Sequence, residues 1–458
     1  MTIDTPARSA DQLRELCGGR VHLPGDPGYD AARLPWNVAV DQRPAAVAIP
    51  HSADEVAEVV RAAASAGLRV APQSSGHAAA PLGAVSLDDV VVLKLSELTG
   101  VTVDPERRVA SVVGGTLWRD VVAAAAPHGL AALHGSAPDV AVAGYVLGGG
   151  LSFYARRHGV AANAVRAVDV VTADGSMVRA DADTNPDLFW AVRGGGGSFG
   201  VVVRIELDLI PMSDPTAGML LWDRERAPEV IRAWVEWTRD LPDSVTTSMR
   251  VMSFPPLPEL PPFLSGRQIV VMDGAILEDA ERAAELLAPL RALAPEMDTF
   301  APLPLPGVTE IHMDPPGPSP AVSDHAVLSG VDDTTVEALL QLVGPGTTTP
   351  LLMAELRHLG GALAQPTEGG GAVSSLPGDY LLFCVAMAPT PELATAGLAA
   401  ANQVVAALER WSTGTRALNF TDVVGQCESG YDAAAWSRLR EVRRTVDPQG
   451  LFVANHPV

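Results

Sequence analysis

The hydrophobic positions between residues 43 and 73 change their period twice. A short apolar run is followed by Val56, Val59 and Val60 at helical spacing, and a second apolar run leads into a loop. Ser52 stands where it can cap the helix, with Glu55 three residues later, and Gly67 follows the last turn. This pattern predicts a β-α-β unit whose second strand leads directly into the loop "QSSGH".

Further along the chain, short apolar runs alternate with turn residues. "VVVLKL", "VTVD" and "VASVVGG" read as strands, and "AVDVVTADGSMVRA" predicts a hairpin that turns at Asp174 and Gly175. "TLWRDVVAAAAPHG" predicts a helix ended by proline and glycine. After about Pro211 proline becomes frequent, with helices predicted at 225–239 and 277–293, so a second domain begins there.

Composition and charge exclude several classes of protein. The 458 residues are 47% apolar, yet no uninterrupted apolar run approaches the roughly 20 residues that cross a bilayer. The segment "MTIDTPARSADQL" lacks a basic start and an apolar core, so we expect a cytoplasmic protein with no membrane partner. Acidic residues outnumber basic ones 54 to 32, and this net charge of -22 repels nucleic acid.

Reactive side chains are few. Cys17, Cys384 and Cys427 lie far apart without a CxxC pair, which indicates core thiols and neither disulfides nor zinc. Lys94 is the only lysine and follows no glycine-rich loop, so a Walker A motif is absent and a strand-edge role is favoured. "ELRH", residues 355–358, has Glu-x-x-His spacing, but such metal sites need two copies and no metal is expected.

Two glycine clusters, at 146–152 and 191–203, mark places where the backbone approaches a ligand or another backbone closely. Both readings stay open from the pattern alone. Neither cluster opens a helix after a strand with an acidic residue some 20 positions later, so an NAD-binding Rossmann unit does not fit.

The order of these motifs resembles the berberine bridge enzyme-like flavoproteins of the vanillyl-alcohol oxidase superfamily. The segments that carry the resemblance are "QSSGH", "LGGG", "NPDLFWAVRGGGGSFGVV" and "DPQGLF" followed by Asn455, and the match as a whole extends from about Tyr29 to His456. The resemblance implies an α+β fold with an FAD-binding domain at 1–212 and a substrate domain of antiparallel sheet covered by helices at 213–410. Residues 411–458 are then expected to return to the FAD-binding domain.

The resemblance also implies FAD bonded covalently through the imidazole of His77. Some members add a second bond through cysteine, but Ala137 stands at that position, so attachment through His77 only is expected. Gln73 replaces the family's arginine, and two serines replace glycines in the loop that cradles the pyrophosphate. The flavin-binding residues implied in this way are Gln73, Ser74, Ser75, Gly76, His77, Ala78, Ser136, Ala137, Val140, Gly144, Gly149, Val201, Asn419 and Asn455.

The catalytic base departs from the family pattern. Ala417 occupies the position of the usual tyrosine, and Gln365 occupies that of a glutamate base, although an amide takes no proton at neutral pH. Tyr154 becomes the candidate base, with an ordinary packed aromatic as the equal alternative. Less favoured candidates are Tyr145, Glu355 and Tyr380, while His134 and His158 are expected at the surface or in supporting positions.

The substrate domain offers one further pair. Glu355 and Arg357 alternate along a predicted strand and so point the same way, either into the substrate cleft or as an ion pair on the sheet.

These features together predict an FAD-dependent oxidase that takes hydride from a small hydroxyl- or amine-bearing molecule and passes electrons to dioxygen. The replaced bases leave two alternatives: a dehydrogenase, cyclase or isomerase of the same fold, or a flavin-binding protein without catalysis. The sequence leaves the oligomeric state open.

Overall fold

The computed structural model describes residues 10–258 and 260–458, and its first half carries three small sheets. A four-stranded sheet has the order β1-β2-β4-β3, a five-stranded antiparallel sheet has the order β5-β6-β10-β8-β9, and β7 pairs with β11. The strands are β1 (Val21–His22), β2 (Ala46–Ala48), β3 (Arg69–Gln73), β4 (Val90–Lys94), β5 (Val101–Asp104), β6 (Val109–Val113), β7 (Leu130–Ala131), β8 (Val165–Val171), β9 (Met177–Asp181), β10 (Val201–Asp208) and β11 (Ile210–Pro211).

Seven α-helices accompany these strands. They are α1 (Tyr29–Ala32), α2 (Ala53–Ser65), α3 (Ala80–Gly83), α4 (Trp118–Ala125), α5 (Val142–Leu147), α6 (Ala155–His158) and α7 (Pro186–Gly195). The predicted β-α-β unit is confirmed, because Ser52 Oγ accepts the Glu55 N–H at 3.2 Å and Gly67 has φ +69°. Strand β4 lies between β2 and β3 and is parallel to both.

The second glycine cluster serves close approach between backbones. A Cβ added to Gly194 would lie 2.5 Å from the Val373 nitrogen, and one added to Gly200 would lie 2.7 Å from the Val171 carbonyl oxygen. Both glycines also have positive φ angles, +122° and +148°, that favour glycine. At these two positions the crossing of backbones, one of the two readings left open by the sequence, is confirmed.

The second half is an antiparallel sheet covered on one face by helices, as the resemblance implies. The strand order is β15-β12-β14-β13-β18-β19-β17, with β16 paired to β12. The strands are β12 (Thr216–Asp223), β13 (Val245–Ser253), β14 (Gln268–Ile276), β15 (Met297–Asp298), β16 (Ala301–Pro302), β17 (Ala321–Leu328), β18 (Met353–His358) and β19 (Tyr380–Met387); the helices are α8 (Ala227–Thr238), α9 (Ala280–Arg291), α10 (Asp333–Val343) and α11 (Pro391–Ala407). Trp234, Leu356 and Leu382 are buried between the two layers.

The last part of the chain returns to the first half. Helix α12 (Ala433–Val446) packs on α7, and the Val70 N–H donates to the Leu451 carbonyl at 2.8 Å. The Val453 N–H in turn donates to the Val70 carbonyl at 2.8 Å, so this segment adds to the edge of β3. The domain bounds 212/213 and 410/411 stay a prediction with which these sheets agree.

The three cysteines are buried free thiols, as expected. Within residues 10–258 and 260–458, no helix combines the length and the apolar character that a bilayer crossing requires. The expectation of no leader segment rests mainly on residues 1–9, which lie outside the described residues.

Candidate active site

The loop after β3 presents backbone N–H groups without partners. Residues 74–78 form a bend, and their N–H groups donate to no acceptor in the described part of the chain. Gly76 makes the turn with φ +81°, where an added Cβ would lie 2.7 Å from Pro35 Cβ. A tight bend of free N–H groups is a concave site for phosphate oxygens. The loop therefore fits the pyrophosphate of a dinucleotide.

Hydrogen bonds to three other segments hold this loop. Ser74 Oγ donates to the Gly114 carbonyl at 3.2 Å, and Asn455 Nδ2 donates to the Ala78 carbonyl at 3.3 Å. The Gln73 amide donates to Gln42 Oε1 at 3.2 Å, which leaves Gln73 Oε1 buried without a partner among the described residues. A free amide oxygen fits a hydroxyl donor of a bound dinucleotide, but it cannot supply the positive charge of the family's arginine.

His77 is held on three sides. Its Nδ1 lies 2.8 Å from Ser75 Oγ, and its ring stacks on Trp36 with the ring centroids 4.0 Å apart. Its Nε2 lies 3.6 Å from Asp139 Oδ1 and has no closer hydrogen-bond partner among the described residues. Contacts within the protein alone therefore fix the orientation of the His77 ring.

The segment around α5 borders open space. Ser136 Oγ donates to Asp314 Oδ2 at 3.3 Å, and the Ala137 methyl group is buried. The Val140 carbonyl accepts the Trp118 N–H, so it supports α4. Gly144 is the exposed residue of α5, and a Cβ added there would meet no atom within 4 Å. The open space beside Gly144 lies where the resemblance places the flavin.

Asn419 fastens the C-terminal segment to the turn after α5. Its Oδ1 accepts the Gly150 N–H at 2.8 Å, and its Nδ2 donates to the Tyr145 carbonyl at 3.1 Å. Gly149 lies in the same turn with φ +116°. Val201 is different, since it begins β10 fully buried in the core of the first half.

A small cleft, open to solvent, lies between the two halves of the chain. Ser136 and residues 151–153 line one wall, and residues 246–248 of β13 line the other. His312 and Arg357 face the same space. Clefts at such junctions, with a few polar groups on apolar walls, are the usual place of small-molecule sites.

A buried carboxylate orients His312. Asp273 on β14 is 0% exposed, and its Oδ2 lies 2.8 Å from His312 Nδ1. It also accepts a hydrogen bond from Ser248 Oγ at 2.7 Å and pairs with Arg250. Burial alone would raise the pKa of Asp273, but the Arg250 charge and these hydrogen bonds outweigh it and hold that pKa well below its usual range.

Glu355 and Arg357 lie on the other side of His312. Arg357 Nε donates to Glu355 Oε2 at 2.9 Å, so the two side chains point the same way along β18 and form an ion pair. Arg357 Nη2 lies 3.3 Å from His312 Nε2. Glu355 Oε1 lies 3.8 Å from that nitrogen, buried and without a hydrogen-bond partner among the described residues.

The two catalytic candidates named from the sequence do not line this cleft. Tyr154 is 0% exposed, its hydroxyl lies 3.3 Å from His134 Nε2, and burial raises its phenol pKa above the usual value, which argues against a base. The alternative of a packed aromatic describes its position. Gln365 is exposed in the loop after the 3-10 helix Gly361–Ala364.

The other named side chains occupy different places. The Tyr145 hydroxyl is buried and has no partner in the described part of the chain, whereas the Tyr380 hydroxyl bonds Thr238 Oγ1 at 2.6 Å on the helix-covered face of the sheet. His134 was expected at the surface or in a supporting position; it is fully buried, and burial lowers its pKa to about 4. His158 is half-buried.

Comparisons with known proteins identify the cofactor domain. Residues 44–181 match the FAD binding domain model. Over 205 residues the chain is 37% identical to (R)-6-hydroxynicotine oxidase of Paenarthrobacter nicotinovorans, and over 223 residues it is 32% identical to glucooligosaccharide oxidase of Sarocladium strictum. These alignments cover 44% and 48% of this chain, and each spans 44% of the relative's own length.

The crystal structure of 6-hydroxy-D-nicotine oxidase from Arthrobacter nicotinovorans superposes with a TM-score of 0.82 at 25% identity, covering 94% of this chain and 96% of that one. Residues 44–181 are thus similar to an FAD binding domain, and the chain as a whole shares the fold of this oxidase. The resemblance to berberine bridge enzyme-like flavoproteins and the fold class are thereby confirmed.

Four groups at the junction were not found from the sequence: the half-buried Trp36 and Asp139, and the buried Asp273 and His312. Asp139 directly follows Pro138 in "SAPD", and no spacing relates it to His77. His312 stands in "TEIHMDPP", and no spacing relates it to Asp273, 39 residues earlier. Only the packing of the loop around His312 against the sheet brings these groups together.

Proposed function

We propose that this flavoprotein is an oxidase that binds FAD through His77 and oxidises a small hydroxyl- or amine-bearing molecule in the cleft between Ser136 and β13. The observation that carries the proposal is the oriented His312 in that cleft, on the opposite wall from the flavin-side residues. Bound FAD would supply the two-electron oxidation and pass the electrons to dioxygen.

The loop of residues 74–78 supports FAD binding by its unpartnered N–H groups, and His77 supplies the nucleophile for a covalent bond. Ala137 offers a methyl group where a second bond would need a thiol. Cys17, Cys384 and Cys427 are each buried elsewhere in the chain. A single bond, through His77, is the attachment that these residues favour.

His312 is the base that the geometry favours. The Asp273 carboxylate only accepts hydrogen bonds, so the His312 proton lies on Nδ1 and the lone pair on Nε2. Arg357 donates toward that lone pair from 3.3 Å. When a substrate hydroxyl or amine takes the place of the arginine, Nε2 can accept its proton, with Asp273 stabilising the imidazolium that forms.

The cleft also indicates a polar substrate. Glu355 Oε1, buried 3.8 Å from His312 Nε2, has no hydrogen-bond partner among the described residues, and such an acceptor favours a ligand that donates a hydrogen bond. The names of the two relatives describe oxidation of a hydroxynicotine and of glucooligosaccharides, both hydroxyl-bearing molecules. We therefore propose a substrate that carries at least one hydroxyl or amine donor.

Hydrogen peroxide release during incubation with panels of secondary amines, phenols and sugars tests this assignment. General-base catalysis contributes about 10²- to 10⁴-fold, so His312→Gln should slow the turnover of a responsive substrate by that factor. His128→Gln, at an exposed histidine, is the matched control and should turn over like the wild type. Equal rates for the two variants would refute the role of His312.

The attachment is tested separately by the intact mass of the purified chain. An FAD adduct in the wild type and its loss in His77→Ala are expected. A wild-type chain of bare mass would refute the covalent bond.

A second candidate function keeps the fold and the flavin but not dioxygen. Ala417 is a buried apolar residue whose N–H donates to His325 Nε2 at 3.0 Å, so no side-chain hydroxyl stands at the family's base position. A dehydrogenase, cyclase or isomerase would fit that replacement. Substrate-dependent reduction of an artificial electron acceptor without peroxide would favour the dehydrogenase, and product formation without net oxidation would favour the other two.

A further inference from the structure

Asp139 lies beside His77 in an arrangement that its sequence position does not reveal. The Trp36 indole N–H donates to Asp139 Oδ2 at 2.7 Å, while Asp139 Oδ1 lies 3.6 Å from His77 Nε2. The same Trp36 ring stacks on the imidazole at an interplanar angle of 17°. One aromatic residue thus fixes both the carboxylate and the histidine that faces it.

The carboxylate determines which nitrogen of His77 carries the proton. Burial raises the pKa of Asp139, but the nearby His77 imidazole and hydrogen bonds from Trp36 and the Gly317 N–H outweigh this and leave the pKa below its usual value. An ionised carboxylate can only accept, so the proton of the neutral imidazole lies on Nε2. The lone pair then lies on Nδ1.

The surroundings of Nδ1 agree with this tautomer. Ser75 Oγ lies 2.8 Å from Nδ1 and accepts the Ala141 N–H at 3.5 Å. Because the serine oxygen already accepts one hydrogen bond, its own hydroxyl proton is free to donate to the Nδ1 lone pair. His77 is therefore presented with Nδ1 as the nucleophilic nitrogen.

We propose that Asp139 is the positioning residue for covalent flavin attachment: it holds the proton of His77 on Nε2 and stabilises the positive charge as Nδ1 bonds the flavin. This inference rests on the proposed bond between His77 and FAD. In that step, Nδ1 bonds to the 8α carbon and one C–H bond of the methyl group breaks.

The step balances with dioxygen as the oxidant. The hydrogen lost from the methyl group and the Nε2 proton become the two hydrogens of the reduced flavin ring, which also holds the two electrons. Dioxygen then takes both hydrogens and both electrons and leaves as hydrogen peroxide. The Nε2 proton becomes acidic as Nδ1 forms its bond, and it points at the Asp139 carboxylate. The negative charge of that carboxylate stabilises the positively charged imidazole.

The arrangement joins the two halves of the chain. The Gly317 N–H donates to Asp139 Oδ2 at 3.3 Å, and the Ser319 N–H donates to the Trp36 carbonyl at 3.1 Å. Asn37 pairs with the backbone of Ala321 in both directions, at 2.9 and 3.1 Å. The loop before β17 therefore closes over Asp139, and attachment requires the folded chain as a whole.

The test follows covalent attachment itself, independently of turnover. Full-length chains prepared in riboflavin-limited cells are incubated with FAD, and the fraction with an FAD adduct is followed by intact mass spectrometry. Asp139→Asn should attach FAD at least tenfold more slowly than the wild type, with normal noncovalent FAD binding by native gel filtration. Asp139→Glu should recover part of the rate, because it restores the charge. Asp214→Asn, at an exposed carboxylate, is the matched control.

The outcomes separate this inference from the function on which it rests. Wild-type attachment together with an equal rate in Asp139→Asn would overturn the role of Asp139 and leave the His77 bond standing. A wild type that binds FAD without any adduct would refute the bond itself and this inference with it. If Asp139→Asn does not fold, Trp36→Phe keeps the stacked ring but removes the indole donor, and an unchanged rate there would also overturn the proposal.

Discussion

Replacing Asp273 with asparagine tests the charged cluster beneath the cleft. The substitution keeps the side-chain volume but removes the charge that faces Arg250, a guanidinium only 3% exposed. The asparagine amide also places an N–H donor where an Asp273 oxygen accepts, so it would face a donor of His312 or Arg250. Removing one partner of a buried ion pair costs about 3–5 kcal/mol, because the other charge stays buried and uncompensated. We expect Asp273→Asn to lower the free energy of unfolding by this amount.

Asp187→Asn provides the matched control. Asp187 pairs with Arg438 at 2.8 Å, but the carboxylate is 72% exposed, and exposed ion pairs contribute about 0–1 kcal/mol. Urea denaturation followed by tryptophan fluorescence compares the two variants, since Trp222 and Trp234 are buried in the sheet domain. A loss below about 1 kcal/mol in Asp273→Asn, equal to that of the control, would refute the inferred buried charge pair.

Two further predictions concern pH and backbone packing. Burial raises the pKa of Asp422 from 3.8 to about 6, so the folded state keeps a proton there that the unfolded state has released. The free energy of unfolding should therefore fall by up to about 3 kcal/mol as pH rises from roughly 4 to 6. Urea titrations should show that Asp422→Asn removes this fall. A variant with the same pH profile as the wild type would contradict the prediction. Gly194→Ala should destabilise the chain more than Gly196→Ala. Both glycines have positive φ angles, but only at Gly194 would the new Cβ meet a backbone atom, at 2.5 Å. Equal melting temperatures of the two variants would contradict this prediction.

The local elements could be predicted because their signals lie within a few residues. Ser52 caps α2 by accepting the Glu55 N–H, as their spacing indicates, and the turn at Asp174 and Gly175 joins β8 to β9. The helices predicted at 225–239 and 277–293 are α8 and α9 within three residues at each end. Capping and turn formation are short-range interactions, so the sequence carries them directly.

The motif around His77 could also be found, because the loop follows β3 without interruption and the resemblance names its histidine. The role of Tyr154 stays a prediction, and its surroundings could not be found from the sequence. Its position near a glycine turn indicated proximity to the flavin, but the direction of its side chain depends on packing against His134, 20 residues away. Sequence spacing places a residue on an element and leaves its burial to the rest of the fold.

The sequence by itself determined the α+β class, the loop that the resemblance names for FAD binding and the absence of a cysteine at Ala137, since each is a matter of residue type or local period. The tertiary structure decided which titratable groups meet: Asp139 with His77, 62 residues apart, and Asp273 with His312, 39 residues apart. Such pairs form where a loop folds over a strand from a distant part of the chain. Their energies come from burial and from a fixed orientation, which exist only after the two halves have packed together.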